Sequence, residues 1–379
     1  MKKLLFYTIY FYPDGAADGQ LFTELCDGLD KKIDITVICA TPCYTGKIDD
    51  KYKKYSFYYE CRQNYKIIRV RVPEYNKEKK LQRIKSIVTY FFKAVFLSFK
   101  IGKFDFVMAS SQPPVLGGLL GVLGKWITRG RFIYNVQDFN PEQIMITGYS
   151  KNKFLICFLM YLDMFSCKHA DRVILVGRDM LQTLKERFVN KIIPKYRIIN
   201  NWADEKLLYP MSKENYNVIN FIKKYGLESK FLIMYSGNLG IYYDLLNIIK
   251  VFEKFQKYED VCFIFVGEGV KKHEMIKYVK SKKIANILFI PYQKKEELNY
   301  SMNASDVQIV CSAKGIKGVS VPSKIYGIMA VAKPVIGIVE PDSEVGMIIT
   351  ESGCGIHSRP GDYGTLEKNI EKILLNRNE

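Results

Sequence analysis

Short apolar runs separated by helical patterns lay out the chain. Residues 4–10 form a first apolar run, read as a strand. A turn-rich loop follows, Tyr12-Pro13-Asp14-Gly15-Ala16-Ala17-Asp18-Gly19, and then Leu21, Phe22, Leu25 and Leu29 fall on one face of a helix. Further strands are expected at 35–40, 67–72, 106–109, 132–136 and 172–176. After a polar stretch rich in Tyr and Lys the same grammar restarts, with strands at 231–235, 261–266, 287–290, 307–311 and 334–338. The first two of these close on Ser236-Gly237-Asn238-Leu239-Gly240 and on Gly267-Glu268-Gly269. Strands that read as continuous apolar runs and alternate with helices predict parallel sheets covered on both faces. The join falls at Asn200-Asn201-Trp202-Ala203-Asp204, which gives two doubly wound α/β domains, 1–200 and 201–379. Such sheets bind ligands beyond the carboxyl ends of their strands, and with two domains the expected site is the cleft between them.

Two helical segments carry a message of their own. Between 82 and 103, Gln82, Lys85, Ser86, Thr89, Lys93, Lys100 and Lys103 share one narrow arc at ~100° per residue. Most of the remaining turn is Ile, Val, Leu and Phe, including Phe91, Phe92, Phe96 and Phe99. A thin basic stripe on a wide apolar face fits a helix lying in a membrane interface, and equally a core helix whose lysines reach out to water. The segment 115–127, with Gly117, Gly121 and Gly124 on one side, reads as a closely packed core helix.

Composition narrows the function. Of 379 residues 48% are hydrophobic and 25% charged, which excludes a disordered or low-complexity chain. Lys and Arg number 57 against 39 Asp and Glu, a net +18 that points to an anionic partner. Nine Cys without a C-x-x-C read as buried free thiols. Three isolated His argue against a histidine metal site or a Ser-His-Asp triad. The opening Met-Lys-Lys-Leu-Leu-Phe-Tyr is too short for a signal peptide, and no apolar run reaches the ~20 residues of a membrane span, so a cytoplasmic protein is expected. With no finger, RRM or OB pattern, nucleic acid is not the expected partner.

Candidate chemistry sits in the loops. Gly15 and Gly19 lie where the first strand hands over to the first helix; they either admit a phosphate or sugar to helix-terminal N–H groups or simply make a tight turn. Gly237 and Asn238, in the loop running to Gly240, offer the same device in the second half. Pro322 suits a first helical position, which puts Ser323 and Lys324 in a first turn, and a lysine there is unfavourable unless an anion sits beside it. Asp138, at the carboxyl end of a strand in Asn135-Val136-Gln137-Asp138-Phe139-Asn140-Pro141-Glu142, is placed to orient a hydroxyl, act as a base or cap a turn.

Taken together in order, these segments resemble the retaining glycosyltransferases of family 4, which have the GT-B fold. The likeness is carried by Tyr12-Pro13 through Gly19, by 136–142, by Ala170-Asp171-Arg172-Val173-Ile174 and by 200–204. It continues through 235–240, 266–269, Val321-Pro322-Ser323-Lys324, Gly353-Cys354-Gly355 and Pro360-Gly361-Asp362. The subgroup it resembles is the fucosamine-type transferases of O-antigen and capsule assembly. The resemblance implies a nucleotide-sugar donor held by the second domain, with Gly15, Gly19, Gly237, Asn238, Ser323, Lys324 and Glu344 as donor-binding residues. It implies an acceptor on the first domain, served by Asp138 and Glu142. It also implies retention of configuration, no essential metal and no other cofactor. The expected enzyme (EC 2.4, hexosyl- or N-acetylhexosaminyl-type) works on the inner face of the cell membrane, with a lipid-diphosphate-linked sugar as acceptor and the anionic membrane as support. Departures keep alternatives open. Val319 and Gly327 stand where the family has two Glu, and Ile241-Tyr242-Tyr243-Asp244 replaces an expected Arg and Lys. A non-catalytic degenerate GT-B partner and a GT-B nucleotide-sugar epimerase are therefore retained. The chain also stops soon after Leu375, where many relatives continue; a shorter final helix or a truncation is expected.

Overall fold

Apolar side chains on both faces of each central strand leave only one arrangement, a sheet sandwiched between helices. The computed structural model describes residues 1–76, 79–240 and 243–377, so Ile241 and Tyr242 of the segment after the glycine turn lie outside it. The chain divides into two units, Met1–Asn200 and Asn201–Glu379.

Unit 1 runs β1 (Lys2–Tyr7), α1 (Ala17–Leu29), β2 (Ile33–Ala40), β3 (Phe57–Arg62), β4 (Tyr65–Val70), α2 (Lys80–Ser98), β5 (Phe106–Ser110) and α3 (Leu116–Thr128). It continues with β6 (Arg131–Val136), α4 (Asn140–Ile146), α5 (Lys153–His169), β7 (Arg172–Leu175), α6 (Met180–Arg187) and β8 (Tyr196–Ile198). The strand order is β3-β4-β2-β1-β5-β6-β7-β8. All pairs are parallel except β3 with β4. The first strand stops at Tyr7 rather than at 10, and β3 and β8 had no apolar run to announce them. β3 reads Phe-Tyr-Tyr-Glu-Cys-Arg, and an antiparallel edge strand needs no fully apolar faces.

The helix α3 packs closely because its glycines leave room. A Cβ on Gly121 would fall 1.9 Å from the Phe132 ring, one on Gly124 2.6 Å from Tyr7, and one on Gly117 2.2 Å from the Ser110 carbonyl oxygen. α2 does not turn its phenylalanines to the core. It meets the sheet with Ser86, Tyr90, Ala94, Leu97 and Ser98. The Tyr90 hydroxyl donates to the carbonyls of Thr8 (3.0 Å) and Ile38 (2.9 Å). Phe92, Phe96 and Phe99 are exposed by 65%, 50% and 71%. Lys93 is half-buried and donates to the Arg71 carbonyl, so the basic stripe is partly consumed inside the unit. Among the described residues no helix is long and apolar enough to cross a membrane.

Unit 2 runs α7 (Tyr216–Lys224), β9 (Phe231–Ser236), α8 (Leu245–Glu253), β10 (Val261–Val266), α9 (Lys272–Ser281), β11 (Ile287–Ile290) and α10 (Leu298–Ala304). Then come β12 (Val307–Cys311), α11 (Lys324–Ala330), β13 (Val335–Ile338), α12 (Glu344–Ser352), β14 (Gly355–Ser358) and α13 (Tyr363–Leu375). The order β11-β10-β9-β12-β13-β14 is parallel throughout. Alternate residues feed two cores. Ile233, Tyr235, Phe263 and Phe265 pack with α8, α9 and α13, while Leu232, Met234, Ile264 and Val266 pack with α7. The stacked rings of Phe252 and Phe263, 3.9 Å apart, anchor α8, each such burial being worth about 1.5–3 kcal/mol. α11 begins at Lys324 with Ser323 as its N-cap, so Pro322 precedes the helix instead of opening it.

Candidate active site

In unit 1 the carboxyl ends of β5 and β6 are stitched together by Ser111. Its hydroxyl accepts the backbone N–H groups of Gln137 (3.1 Å) and Asp138 (3.2 Å). Its carbonyl accepts the Asn140 side-chain amide at 2.8 Å. The Asp138 carboxylate, half-buried, also faces the Gln112 amide at 3.4 Å. The loop therefore presents Asp138 on a rigid frame.

A second carboxyl shares this place. Asp18 lies in the first turn of α1. Burial, and then the charge of Asp138, raise its carboxyl to about 7. Two carboxyls that feel each other cannot both ionise easily, so the pair holds a proton near neutrality and can give or take one. Nothing local in the sequence marks Asp18, because the charge that perturbs it comes from a distant loop.

The neighbouring glycines split in role. Gly15 has open space where a side chain would stand. Gly19 does not: a Cβ there would meet the Phe11 nitrogen at 3.3 Å and the Asp14 carbonyl at 3.4 Å, so its smallness serves the turn. Glu142 is engaged within unit 1. Both of its carboxylate oxygens bind the Arg187 guanidinium, which reaches on to Asp163 at 2.5 Å and lies over the Phe139 ring at 4.1 Å. Asp163 in turn accepts the Tyr134 hydroxyl at 2.6 Å. Glu142 thus braces the loop that carries Asp138.

In unit 2 two glycine turns interlock. Gly237 and Gly267 have φ of +143° and +148°, a region that favours glycine. A Cβ on Gly267 would stand 1.9 Å from the Gly237 carbonyl oxygen, and one on Gly269 2.3 Å from that of Leu239. The Leu239 N–H donates to the Glu268 carbonyl at 2.8 Å. Under this turn lies Lys324. Its Cε is 2.1 Å from where a Gly237 side chain would begin. Its ammonium sits 5.1 Å from the ring centres of both Tyr235 and Tyr243. Burial lowers its pKa, with the Cys311 thiol acting the other way. Asn238 is exposed at the tip of the turn, while its carbonyl accepts the Tyr235 hydroxyl at 2.9 Å. Ser323 is exposed and makes no side-chain cap. Glu344 is enclosed in the first turn of α12.

A cavity of about 120 Å³ opens at the carboxyl ends of β12 and β13, lined among others by Asp244, Ser312, Lys314 and Tyr363. The buried Ser312 hydroxyl has no hydrogen-bond partner there. Val319 is buried, and a Cβ on Gly327 would meet Leu208 at 3.3 Å, so apolar packing occupies the neighbourhood of both missing acids.

Two parallel-sheet units of this kind make up the GT-B fold, and residues 217–379 match the family model described as "Glycosyl transferases group 1". Over that second unit the chain is similar to group 1 glycosyltransferases, and over most of its length it is similar to two curated proteins named as glycosyltransferases. It is 29% identical over 304 residues to WbjE, a probable glycosyltransferase of Pseudomonas aeruginosa, covering 79% of this chain and 74% of that one. It is 22% identical over 254 residues to WcaI of Escherichia coli K12, named for colanic acid biosynthesis, covering 66% of this chain and 61% of that protein. Among solved structures it resembles Anabaena HepE in complex with UDP-glucose, with a TM-score of 0.65 at 15% identity over 99% of this chain and 90% of HepE.

Proposed function

We propose that the protein moves a hexosyl or N-acetylhexosaminyl group, with retention of configuration, from a nucleoside diphosphate donor to a lipid-diphosphate-linked acceptor in bacterial surface polysaccharide assembly. The observation that carries this reading is Lys324. A lysine held under a glycine turn, with no carboxylate partner among the described residues, is a fixed cation waiting for an anion. As the sugar–phosphate bond breaks, negative charge grows on the leaving diphosphate, and a preorganised ammonium stabilises it most at that moment. The backbone of 237–240 approaches the same phosphates, Asn238 reaches the donor from the exposed tip, and Glu344 and Ser323 complete the donor side. On unit 1, Asp138 orients the acceptor hydroxyl, Asp18 supplies a carboxyl that titrates near neutrality, and Gly15 leaves space. That HepE holds UDP-glucose supports a uridine donor. The net +18 and the outward phenylalanines of α2 support a peripheral position on the inner membrane face.

The test is thermal protection by a panel of UDP-, GDP- and dTDP-sugars, followed by nucleotide release from those that protect. Protection grows with ligand concentration over Kd, so a weak donor still registers. Protection by none of them would sink the proposal. The apolar surroundings of Val319 and Gly327 favour one second reading, a non-catalytic partner. It predicts protection by a nucleotide with no turnover of any sugar.

A further inference from the structure

At the opposite end of the unit 1 sheet from Asp138, an open groove of about 980 Å³ follows the amino ends of β5, β6 and β7. Arg131, Lys168, Arg172, Lys191 and Lys195 line it, and Lys125 stands beside them. Asp171 is the one carboxylate in the lining. It is already engaged, with Lys125 at 2.8 Å and the Phe132 N–H at 2.8 Å. A helix C-terminus accounts for Lys168 in the last turn of α5. No such end accounts for Arg131, Arg172, Lys191 and Lys195, whose mutual repulsion an anion would relieve.

The groove has an apolar approach. Phe154, Phe158, Tyr161 and Phe165 recur at helical spacing along α5, and Phe154 is 90% exposed. The row ends in an aromatic cluster at the groove: the Phe165 ring lies 4.0 Å from that of His169 and 6.2 Å from that of Trp126. Ile192, 93% exposed, marks the other side. The only acid of α5 is Asp163, buried against Arg187. A cationic pocket continued by an exposed aromatic row is complementary to an amphiphilic anion. A nucleic acid would use the charge and the rings but not the exposed aliphatic side chains.

We propose that this groove binds an anionic phospholipid, the phosphate among Arg131, Arg172, Lys191 and Lys195 and an acyl chain along Phe158 and Phe154. This deepens the membrane reading above by naming the lipid and a site separate from α2, and it lies apart from the transfer chemistry. The unit would then meet the bilayer through α5 and the groove together.

Trp126 reports on the site directly, because Trp202 is the only other tryptophan. The full-length Trp202→Phe protein is titrated with a short-chain phosphatidylglycerol below its micellar concentration, with the matching phosphatidylcholine and with inorganic phosphate. A blue shift of Trp126 emission with phosphatidylglycerol alone is the expected result. The pair Arg172→Glu and Lys191→Glu should weaken it at least about tenfold, while Phe92→Ser with Phe96→Ser leaves it intact. No response to phosphatidylglycerol overturns the proposal, whatever the protein does on vesicles. An equal response to phosphate overturns the lipid and leaves an anion site. Should the groove variant fail to fold, quenching of Trp126 by brominated phosphatidylglycerol in the otherwise native protein decides: an unquenched Trp126 on bound protein refutes the site.

Discussion

Replacing Asp18 by Asn should make the protein more stable at neutral pH. In the folded chain the Asp18 carboxyl is raised to about 7, from 3.8. Burial is the main cause and the Asp138 charge the second. The folded state therefore keeps a proton that the unfolded chain gives up between about pH 4 and pH 7, and stability falls as pH rises through that window. At about 1.36 kcal/mol per unit, a rise of roughly three units costs up to about 4 kcal/mol above pH 8 and nothing below pH 4. Asn cannot ionise, so the variant should track the wild type near pH 4, apart from a constant offset, and draw ahead by a few kcal/mol at pH 8. Chemical denaturation followed by Trp126 emission in a Trp202→Phe background reads unit 1 separately. Adding Asp138→Asn to the wild type should shift the loss of stability to lower pH, because one of the two causes is gone. A stability difference between wild type and Asp18→Asn that stays constant from pH 4 to pH 8 would refute the reasoning.

Other outcomes follow from the same geometry. Asp138→Asn should lower turnover by about 10²–10⁴ with donor affinity unchanged, and near-normal turnover would remove it from the chemistry. Lys324→Ala, losing a charge-assisted contact of roughly 1.5–3 kcal/mol, should weaken a nucleoside diphosphate about ten- to a hundredfold and the monophosphate less, measured by calorimetry. Equal losses would mean that Lys324 does not read the outer phosphate. Phe92→Ser with Phe96→Ser should reduce sedimentation with anionic liposomes at low salt while the melting temperature holds; a large drop in melting temperature would show that the two rings stabilise the fold.

The inner parallel strands were legible because each buries both faces and so reads as an apolar run, whereas the short parallel edge strands β8 and β14 do not. β3 was not, since a half-exposed edge strand looks like a loop. The length of α2 was nearly readable, but its orientation was not. Its buried face is Ser86, Tyr90, Ala94 and Leu97, chosen for close approach and for two hydrogen bonds from Tyr90, and periodicity counts such residues as neutral. Lys324 and the 237–240 turn stood out as motifs. Asp18 did not, because its perturbation depends on burial and on a carboxylate from another loop. The ion pair of Glu142 was hidden for the same reason: nothing near it in sequence announces Arg187.

That guanidinium has a consequence for how the protein can change. Arg187, Glu142, Asp163 and Tyr134 tie α4, α5, α6 and β6 behind the Asp138 loop, and the Arg187 and Asp163 side chains are each only 3% exposed. Losing any one charge strands the others in a dry interior, at about 3–5 kcal/mol, whereas exchanging the whole set for well-packed apolar side chains is often neutral. Descent should then transmit these positions as a block. Relatives are expected to keep the set whole or to lack it whole, with few intermediates. A directed-evolution library of single substitutions would find every exit from this arrangement closed, although a joint replacement lies open.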